Sequence, residues 1–538
     1  MQLLMPLVTL VMAAFAVCVM SYLALATSVG PWIEPTLVLF ATILLRLVLR
    51  QQVQTARSIG FAVIASSVGG ILATALCFSF PTLFFLEPAL FKAWMREPFY
   101  FSFLVSSLCL AGGLFGYLVA NLIEKKLIYE QRLLFPVGVL VYRMIAAQDQ
   151  LRKAKELGAG ILATFAFCAV QRFTAWIPKF VVLIQAVNMG SLQLPQLRFD
   201  IFPLMWAVGF VTGHVVALPL LCGAMTKILA VDLVGAHFFP QVTAESFTLA
   251  FCSGMALVSA VLSFIKAPIL MWYTNFSHWI QTQAHGTVTN WREVWRSGPL
   301  LGGLSLPSML VLLLLISGFL TYFQFSFWAQ LYLLGFALVA TYQIANIAGK
   351  IGLAYLGRFA TFVMIPALFL FDLSRVQLTI LCSFVEISGG VAADMLFGRK
   401  IAQLAQLPSA QVRRYQLWGL LACCLFAGII LWVLGHNLHL GSLELFAQRS
   451  QARALLIDIG KFDTYVMLLG AVFGGILQYL DWNPMIILGG ILMPLNLSLS
   501  LITGGLFAHF TKHKEQWFPF WSGVFAAQSI WMVLSIAF

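Results

Sequence analysis

Charged residues are scarce in this chain of 538 residues, where Asp, Glu, Lys and Arg together make up 9%. Ordinary soluble domains carry about 25% of these residues. Hydrophobic residues make up 61%, and the mean hydropathy is +0.95. Such a composition excludes a soluble globular protein, and the apolar runs follow one another too closely to leave room for a large soluble domain. The sequence therefore predicts a polytopic membrane protein.

Motifs for catalysis and for cofactor binding are also missing from the sequence. It contains no G-x-x-x-x-G-K-[ST] nucleotide loop, so ATP is not the direct energy source. It contains no G-x-S-x-G and no H-E-x-x-H pattern of an intramembrane enzyme. The nine cysteines lie within apolar segments without C-x-x-C or other metal-ligand spacing, which is typical of small core residues. We expect no enzyme activity, no cofactor and no metal site.

The net charge of +12 comes from basic residues at the ends of apolar runs. This placement is typical of cytoplasmic loops, and it favours anionic lipid over nucleic acid as the partner. Three groups fall on one side if every segment crosses: Arg46/Arg50/Arg57, Lys125/Lys126/Arg132 and Arg399/Lys400/Arg413/Arg414. We expect that side and both termini to be cytoplasmic, in a cell inner (plasma) membrane. Arg152, Lys153 and Lys155 fall outside if the segment 134–148 crosses, and inside if it is re-entrant. The pattern is also broken by Arg449, Arg453, Lys512 and Lys514.

Apolar runs, cut at charges and at Pro/Gly clusters, predict an all-α fold of about sixteen transmembrane or re-entrant helices. The segments lie near 3–27, 33–50, 57–82, 100–123, 134–148, 157–182, 202–230, 246–272, 299–321, 326–349, 355–371, 376–397, 412–435, 462–480, 484–510 and 518–537. A polar linker, 274–298, separates residues 1–273 from residues 299–538. Each part would hold eight segments.

A weak internal repeat supports this division into two halves. The stretch 122–126 is echoed at 396–400, Gly209 and Gly223 at Gly490 and Gly504, and 253–254 at 522–523. The order is kept along the chain, which indicates a duplication. A repeat unit with an even number of helices implies parallel halves with the cargo site at their interface.

The stretch from Leu122 to Gln148 contains a charged turn followed by Phe135-Pro136-Val137-Gly138. Pro136 cannot donate a backbone hydrogen bond and Gly138 relaxes the backbone, so the sequence predicts a short or broken helix there. Non-helical backbone at membrane depth is tolerated only where protein or a water-filled cavity surrounds it. Broken helices of this kind are where transporters bind cargo.

The sequence GGLFGYLVANLIEKKLIYEQRLLFPVGVL, residues 112–140, resembles a segment of the oligopeptide transporter (OPT) family. The family pattern reads E-E-H-x-K-L-P-Y-P-E-G-T-A, and its frame is kept from Glu130 to Gly138. Val137 stands where bacterial members often carry Glu, and Val139-Leu140 replaces Thr-Ala, so the coupling chemistry can differ. The stretches 56–83, 209–229, 344–364, 389–411 and 483–506 also resemble the family, in family order. The resemblance is to a bacterial-type member.

Nine residues are candidates for cargo binding: Pro136, Gly138, Tyr142, Arg143, Tyr342, Gln343, Asn346, Lys350 and Asn496. Tyr342, Gln343 and Asn346 are spaced to share one helical face, which Gly349-Lys350 interrupts. Arg143 can meet a cargo carboxylate, pair with an acid or extend to the membrane surface. Asn496 follows Pro494 at an interrupted segment, where packing is the alternative to lining a cavity.

Three residues are candidates for proton coupling: Glu386, Asp394 and His214. Glu386 lies about ten residues into an apolar segment, where a permanent charge is unfavourable by roughly 2.5–3.5 kcal/mol. It either carries a proton or forms a fixed pair with Lys350 or Arg143. Asp394 has an ion pair with Arg399 as its alternative, and His214 has a hydrogen-bonded structural role.

Glu34 opens the second segment and is interpreted as the interfacial start of a helix. Together these observations predict a proton-coupled secondary active importer. The OPT resemblance implies that its cargo is a small peptide or a metal–chelate complex of the siderophore or nicotianamine kind. A non-transporting membrane subunit or receptor is the alternative, followed by an intramembrane enzyme. The oligomeric state stays open, and a homodimer is one assembly that the sequence allows.

Overall fold

The computed structural model describes most of the chain outside residues 259–305. The described residues are 4–26, 33–49, 56–133, 135–146, 150–174, 177–178, 180–184, 187–189, 192–194, 197–212, 214–229, 306–351, 354–442, 445–458, 463–480, 482, 484–492, 495–512 and 514–537, with short pieces between 238 and 258. The predicted linker 274–298 and most of the segment 246–272 lie outside them.

Helices dominate the fold on both sides of that gap. The first part contains α1 Leu4–Ala26, α2 Glu34–Leu49, α3 Ala56–Ser79, α4 Thr82–Leu86, α5 Pro88–Met95, α6 Pro98–Glu124, a π-helical turn Lys125–Glu130, α7 Pro136–Ala146, α8 Gln150–Phe173, α9 Pro203–Thr212 and α10 His214–Thr226. The second part contains α11 Leu306–Tyr322, α12 Phe327–Ile351, α13 Leu356–Leu370, α14 Arg375–Leu404, α15 Ser409–Asn437, α16 Gln448–Ile457, α17 Thr464–Tyr479, α18 Pro484–Leu492, α19 Leu495–Phe510 and α20 Lys514–Ala537.

Six helices of the described part are long and apolar enough to cross a membrane. They are Pro6–Ala26, Arg57–Leu86, Pro98–Glu130, Phe327–Gly349, Arg375–Leu404 and Ser409–Asn437. These match six of the predicted segments, which confirms a helical multi-pass membrane protein. Several other described helices, including α7 and α13, are shorter than the roughly 20 residues that a full crossing needs, whereas α8 and α20 have 24 residues each.

Two antiparallel sheets of two strands each follow α8, where the sequence pattern predicts helix as far as residue 182. β1 Phe180–Ile184 pairs antiparallel with β4 Leu197–Asp200, and β2 Val187–Met189 pairs antiparallel with β3 Leu192–Leu194. The helix ends at Phe173, and Pro178 follows without a backbone N–H. The β-branched pair Val181-Val182 then favours strand. Strands are thus a minor addition to the predicted all-α fold.

Two predicted segments each contain two of the described helices. The segment 202–230 contains α9 and α10, with residue 213 between them outside the described residues, and the segment 484–510 contains α18 and α19, with residues 493–494 between them outside the described residues. The two helix pairs pack against each other in antiparallel order. A methyl group placed on Gly209 would meet Gly504, and one placed on Gly223 would meet Gly490. Glycines at these positions let the two backbones approach closely.

α14 forms the centre of the bundle, packed against α3, α6, α12, α13 and α15. Every residue from Leu378 to Arg399 is buried. The sequence Ser374-Arg375-Val376-Gln377 begins the helix with a capping box, in which Ser374 and Gln377 satisfy each other's backbone N–H groups. Because α14 has no lipid-facing side over these residues, its polar side chains can only meet other protein groups.

α6 and α12 run parallel to α14 on two of its sides. A methyl group placed on Gly112 would lie 3.0 Å from Ile387, and one on Gly116 would meet Ser388. These glycines therefore allow α6 to pack closely against α14. On the other side, Gln377 donates to the carbonyl of Phe323 at 3.1 Å, just before α12 begins.

α13 runs back along the first half of α14 and begins near the midpoint of that helix. A methyl group placed on Gly390 would lie 3.5 Å from Leu356, the first residue of α13. Farther along, Tyr332 of α12 donates to the carbonyl of Val363 at 2.8 Å. With 15 residues, α13 is about 22 Å long and covers only part of a membrane crossing. Its N-terminus therefore lies deep within the bundle.

The two ends of the bundle carry different ion pairs. At the basic end, defined by the end of α6, the end of α14 and the start of α15, Glu124 accepts from Arg399 and from Arg413, each at 3.0 Å. At the opposite end, Arg375 pairs with Glu87 at 2.8 Å and with Asp458 at 2.9 Å. Basic groups that the sequence places on one side therefore meet in the structure.

Candidate functional site

α14 places Arg375, Glu386, Asp394 and Arg399 at successive depths of the bundle. At a rise of 1.5 Å per residue, Glu386 lies about 16 Å from Arg375, and Asp394 about 12 Å farther along. Glu386 is 0% exposed and Asp394 is 1% exposed. Ionisable groups enclosed at such depth are functional-site candidates, because each needs a specific partner.

Glu386 forms an ion pair with Arg453 of α16. Arg453 also donates to the carbonyl of Phe78 at 3.4 Å, and Ser450 donates to the same carbonyl at 3.0 Å. Phe78 belongs to the last turn of α3, where helix carbonyls have no partner within the helix. The polar face of α16 satisfies these carbonyls, and that docking brings Arg453 to Glu386.

Two more arginines lie beside this pair, and together Arg358, Arg449, Arg453 and Glu386 form the arginine cluster. Arg449 lies over the ring of Phe78 at 4.2 Å, close enough to Glu386, Arg453 and Arg358 for electrostatic interaction. A methyl group placed on Gly357 would lie 3.5 Å from Arg453 Nη2, 3.6 Å from Glu386 Oε1 and 3.8 Å from Arg449 Nη1. Gly357 thus leaves a small space between these groups.

Asp394 forms a carboxyl pair with Glu34. It accepts a hydrogen bond from Ser67 of α3 at 3.0 Å, and its carboxyl group interacts with that of Glu34 at the start of α2. α2 begins at Glu34, as the sequence predicts, but the Glu34 side chain is only 2% exposed and lies inside the bundle, so it is not an interfacial residue. Two enclosed carboxyl groups in contact form a hydrogen bond only when they share a proton.

Arg399 does not pair with Asp394, the alternative that the sequence suggests. Its guanidinium binds Glu124 and donates from Nε to Gln416 at 3.2 Å. Gln416 in turn donates to the carbonyl of Met395 at 2.8 Å. The helical spacing of Asp394 and Arg399 turns them to different sides of α14, because five residues correspond to about 140° of rotation.

Two groups of predicted cargo residues meet at the basic end. The amide of Phe135, just before Pro136, donates to the carbonyl of Gly349 at 2.8 Å. Lys126 of the π-helical turn lies 5.0 Å from the ring centre of Tyr342. A methyl group placed on Gly138 would lie 3.0 Å from the carbonyl oxygen of Phe397. The break before α7 is therefore packed between α12 and α14.

The other predicted cargo residues lie in different surroundings. Tyr142 and Gln343 are half-buried, and the side-chain oxygen of Asn346 is buried with no hydrogen-bond partner among the described residues. Asn496 donates to Asp200 at the end of β4, far along the chain from α14. For four of the predicted residues the structure describes the backbone but not the side chain: Pro136, Arg143, His214 and Lys350.

The family model of the OPT oligopeptide transporter protein matches residues 4–528, nearly the whole chain. The chain belongs to the OPT oligopeptide transporter family. No curated protein matches it closely enough to be named beside it. Family membership and the apolar helices together make this OPT protein a multi-pass membrane transporter of oligopeptides or related chelates, rather than an enzyme.

Several charged residues of this OPT transporter were not among the predicted site residues: Glu34, Arg358, Arg449 and Arg453. The sequence does contain a signal for Arg449 and Arg453. Both are exceptions to the expected placement of basic residues on the cytoplasmic side, and they stand four positions apart. That spacing puts both on one face of a helix. The structure gives the reason for the exception, since Arg453 is buried in an ion pair with Glu386 and Arg449 lies close to that pair.

Proposed function

We propose that this OPT transporter is a proton-coupled secondary active importer of small peptides or metal–chelate complexes. The observation that carries the proposal is the enclosed carboxyl pair of Asp394 and Glu34 beside Ser67. A carboxyl pair within spanning helices can hold one proton and release it when the surroundings change, which is the step that coupling requires.

Asp394 suits this role better than Glu386, the other predicted proton carrier. Glu386 is bound to Arg453, and a guanidinium partner favours a carboxylate that stays charged. Asp394 has a neutral hydroxyl, that of Ser67, and the carboxyl group of Glu34 as its partners. The thiol of Cys423 of α15 lies nearby, and Arg399, farther along α14, is engaged by Glu124. His214 stays a prediction.

The positive charge of the basic end supports an orientation with that end in the cytoplasm of a cell inner membrane. In this orientation both termini are cytoplasmic, and the opposite end with Arg375 faces outward. Cargo enters from the outer side, and the predicted residues at the break before α7 and on α12 line its route. A homodimer stays a prediction.

Uptake by purified protein in liposomes tests the proposal. With an inward proton gradient, labelled tetrapeptide or iron-chelate cargo accumulates, and a protonophore abolishes the accumulation. Liposomes without protein give the background. Undiminished accumulation with the protonophore, or strict dependence on sodium at fixed pH, would contradict proton coupling.

A further inference from the structure

Ser67 differs from other hydroxyl residues of α3 in what it contacts. The hydroxyls of Ser66, Thr74 and Ser79 each donate to the carbonyl four positions earlier in the same helix, at 2.8, 2.8 and 2.7 Å. Such a bond satisfies a hydroxyl within its own helix and needs no neighbour. The Ser67 hydroxyl instead donates to Asp394 Oδ2 of α14 at 3.0 Å, its one hydrogen bond to the described residues. This hydroxyl is therefore committed to the carboxyl pair.

Glycines on α14 bring this hydroxyl within reach of Asp394. Gly390, Asp394 and Gly398 stand four positions apart, so they share one face of α14. A methyl group placed on Gly390 would lie 2.9 Å from Ile71 of α3. A methyl group placed on Gly398 would lie 3.1 Å from Ile64 of the same helix. α3 therefore packs closely against α14 on both sides of Asp394, and a side chain as short as that of serine spans the gap.

Gly70 of α3 lets the start of α2 pack beside the same carboxyl group. A methyl group placed on Gly70 would meet Ile33, and the next residue, Glu34, interacts with Asp394. Both carboxyl oxygens of Glu34 and Asp394 Oδ1 are buried, and among the described residues none of the three has a hydrogen-bond partner outside these two acids. Because Ser67 occupies Oδ2, the shared proton of the pair lies between Asp394 Oδ1 and Glu34.

Charged side chains of the surrounding helices do not pair with the two acids in the described part of the chain. The other titratable group that interacts with the pair there is the thiol of Cys423 of α15. Nearby charged residues are held in ion pairs of their own: Glu386 with Arg453, and Glu124 with Arg399 and Arg413. Arg143 of α7 and Lys350 of α12 have side chains outside the described part. The hydroxyl of Ser67 is therefore the donor that the described fold provides for the pair.

We propose that Ser67 is a positioning residue that sets the pH at which the carboxyl pair takes up its proton. A hydroxyl that donates to Oδ2 favours the charged form of Asp394, because a carboxylate accepts hydrogen bonds more strongly than a carboxylic acid. Loading transfers one proton from water to the pair, which then carries one negative charge instead of two, and release returns that proton to water. Without the hydroxyl, the pair holds its proton more tightly. The inference rests on the proposed function, because it names the group that tunes the proton step.

Infrared titration of the purified protein in lipid nanodiscs tests this role without requiring transport. The signal is the C=O stretching band of protonated carboxyl groups, and the contribution of the pair is the part of that band that Glu34→Gln lacks. The variant Ser67→Ala removes the hydroxyl, and Ser67→Thr keeps one at the same position. Ser66→Ala is the matched control, because the Ser66 hydroxyl is also enclosed in α3 but donates to the carbonyl of Ala62.

We expect the midpoint of this band to lie about one to two pH units higher in Ser67→Ala than in the wild type, which is the effect of losing one hydrogen bond to a charged group. We expect Ser66→Ala and Ser67→Thr to titrate like the wild type. In liposomes with a fixed internal pH, the external pH of half-maximal uptake rises in Ser67→Ala as well. Should Ser67→Ala not fold, Ser67→Cys keeps the size and a weak donor, and a smaller shift in the same direction is expected.

An unchanged midpoint in Ser67→Ala, a shift to lower pH, or an equal shift in Ser66→Ala or Ser67→Thr overturns the role of Ser67. So does the absence of a band that depends on Glu34, or a loss of uptake at every pH with the wild-type midpoint, which indicates a purely structural residue. The proposed function fails in a different way, when the band titrates as expected but wild-type liposomes show no accumulation driven by a proton gradient. The two failures are therefore distinguishable.

Discussion

The two buried acids of α14 differ in their partners, and the partners determine what each acid can do. Glu386 meets a guanidinium, and Asp394 meets a hydroxyl and a second carboxyl group. A carboxylate with a positive partner is held in its charged form. A carboxyl pair exchanges between states that differ by one proton. Glu386 therefore suits a structural ion pair, whereas Asp394 suits a site that loads and releases protons.

Asp394→Asn keeps the size of the side chain and removes its ability to release a proton. We expect this variant to lose cargo accumulation driven by a proton gradient while it still exchanges bound for free cargo. The measurement compares net uptake and counterflow of labelled cargo in the same liposomes. The same two measurements on Glu386→Gln show whether the loss of accumulation is specific to the carboxyl pair. Accumulation with the pH dependence of the wild type in Asp394→Asn would remove Asp394 from the coupling step.

Glu386→Gln leaves Arg453 enclosed beside a neutral amide. Breaking a buried ion pair by removing one partner destabilises a protein by about 3–5 kcal/mol, because the remaining charge has lost its counterion. We expect a clearly lower melting temperature in detergent than for the wild type.

The double variant Glu386→Gln/Arg453→Gln removes both charges and should recover part of the lost stability. If Glu386→Gln melts like the wild type, the ion pair does not support the fold, and Glu386 returns as a candidate proton carrier.

At the scale of elements, the structure combines helices that cross the bundle with short helices that end inside it. α13 begins near the midpoint of α14, and α7 follows the break at Phe135 and Pro136. Arg132 and Phe135 have φ values of +49° and +46°, a left-handed conformation that is rare for residues other than glycine. The chain holds this conformation because the amide of Phe135 is fixed by the carbonyl of Gly349.

Gly138 provides the test of the break before α7. A methyl group there would already lie 3.0 Å from the carbonyl oxygen of Phe397, so a leucine side chain must displace α7 or α14. We expect Gly138→Leu to abolish uptake, and Gly138→Ala to lower stability by about 1–3 kcal/mol with partial uptake. Size-exclusion profiles and melting curves show whether each variant is folded. Normal uptake by Gly138→Leu would show that the contact between Gly138 and Phe397 lies neither on the cargo route nor between helices that move during transport.

At the scale of the whole molecule, the bundle has one basic end and one end where Arg375 joins α5, α14 and α16. Seven of the nine cysteines are buried, so the native thiols give little background in a labelling experiment. The exposed residues Arg414 and Arg96 lie at opposite ends, because Arg96 precedes α6 and Arg414 follows the end of α14.

We expect Arg96→Cys to react with an impermeant thiol reagent added to intact cells, and Arg414→Cys to react only after the membrane is opened. The physical reason is that positively charged loops stay on the cytoplasmic side during insertion. The wild-type protein measures the background from native cysteines. The reverse pattern would invert the orientation and place the arginine cluster on the cytoplasmic side.

The sequence by itself determined the class of the protein, its family and the spanning helices α1, α3, α6, α12, α14 and α15. The length of an apolar run and the charges at its ends are local properties, so the sequence states them directly. The repeat of 122–126 at 396–400 also has a structural counterpart, since Glu124 contacts Arg399. The α9–α10 and α18–α19 pairs, however, run antiparallel, and the division into two parallel halves stays a prediction.

Only the tertiary structure decided which charged residues meet. Glu386 and Arg453 are 67 positions apart in the chain, and Ser67 and Asp394 are 327 apart. The sequence predicts an interfacial position for Glu34 because its neighbours in the chain are those of a helix start. Its true neighbour, Asp394, comes from a helix of the other half of the chain. Partners of buried charges are chosen by packing between distant helices, and no local pattern of residues encodes that choice.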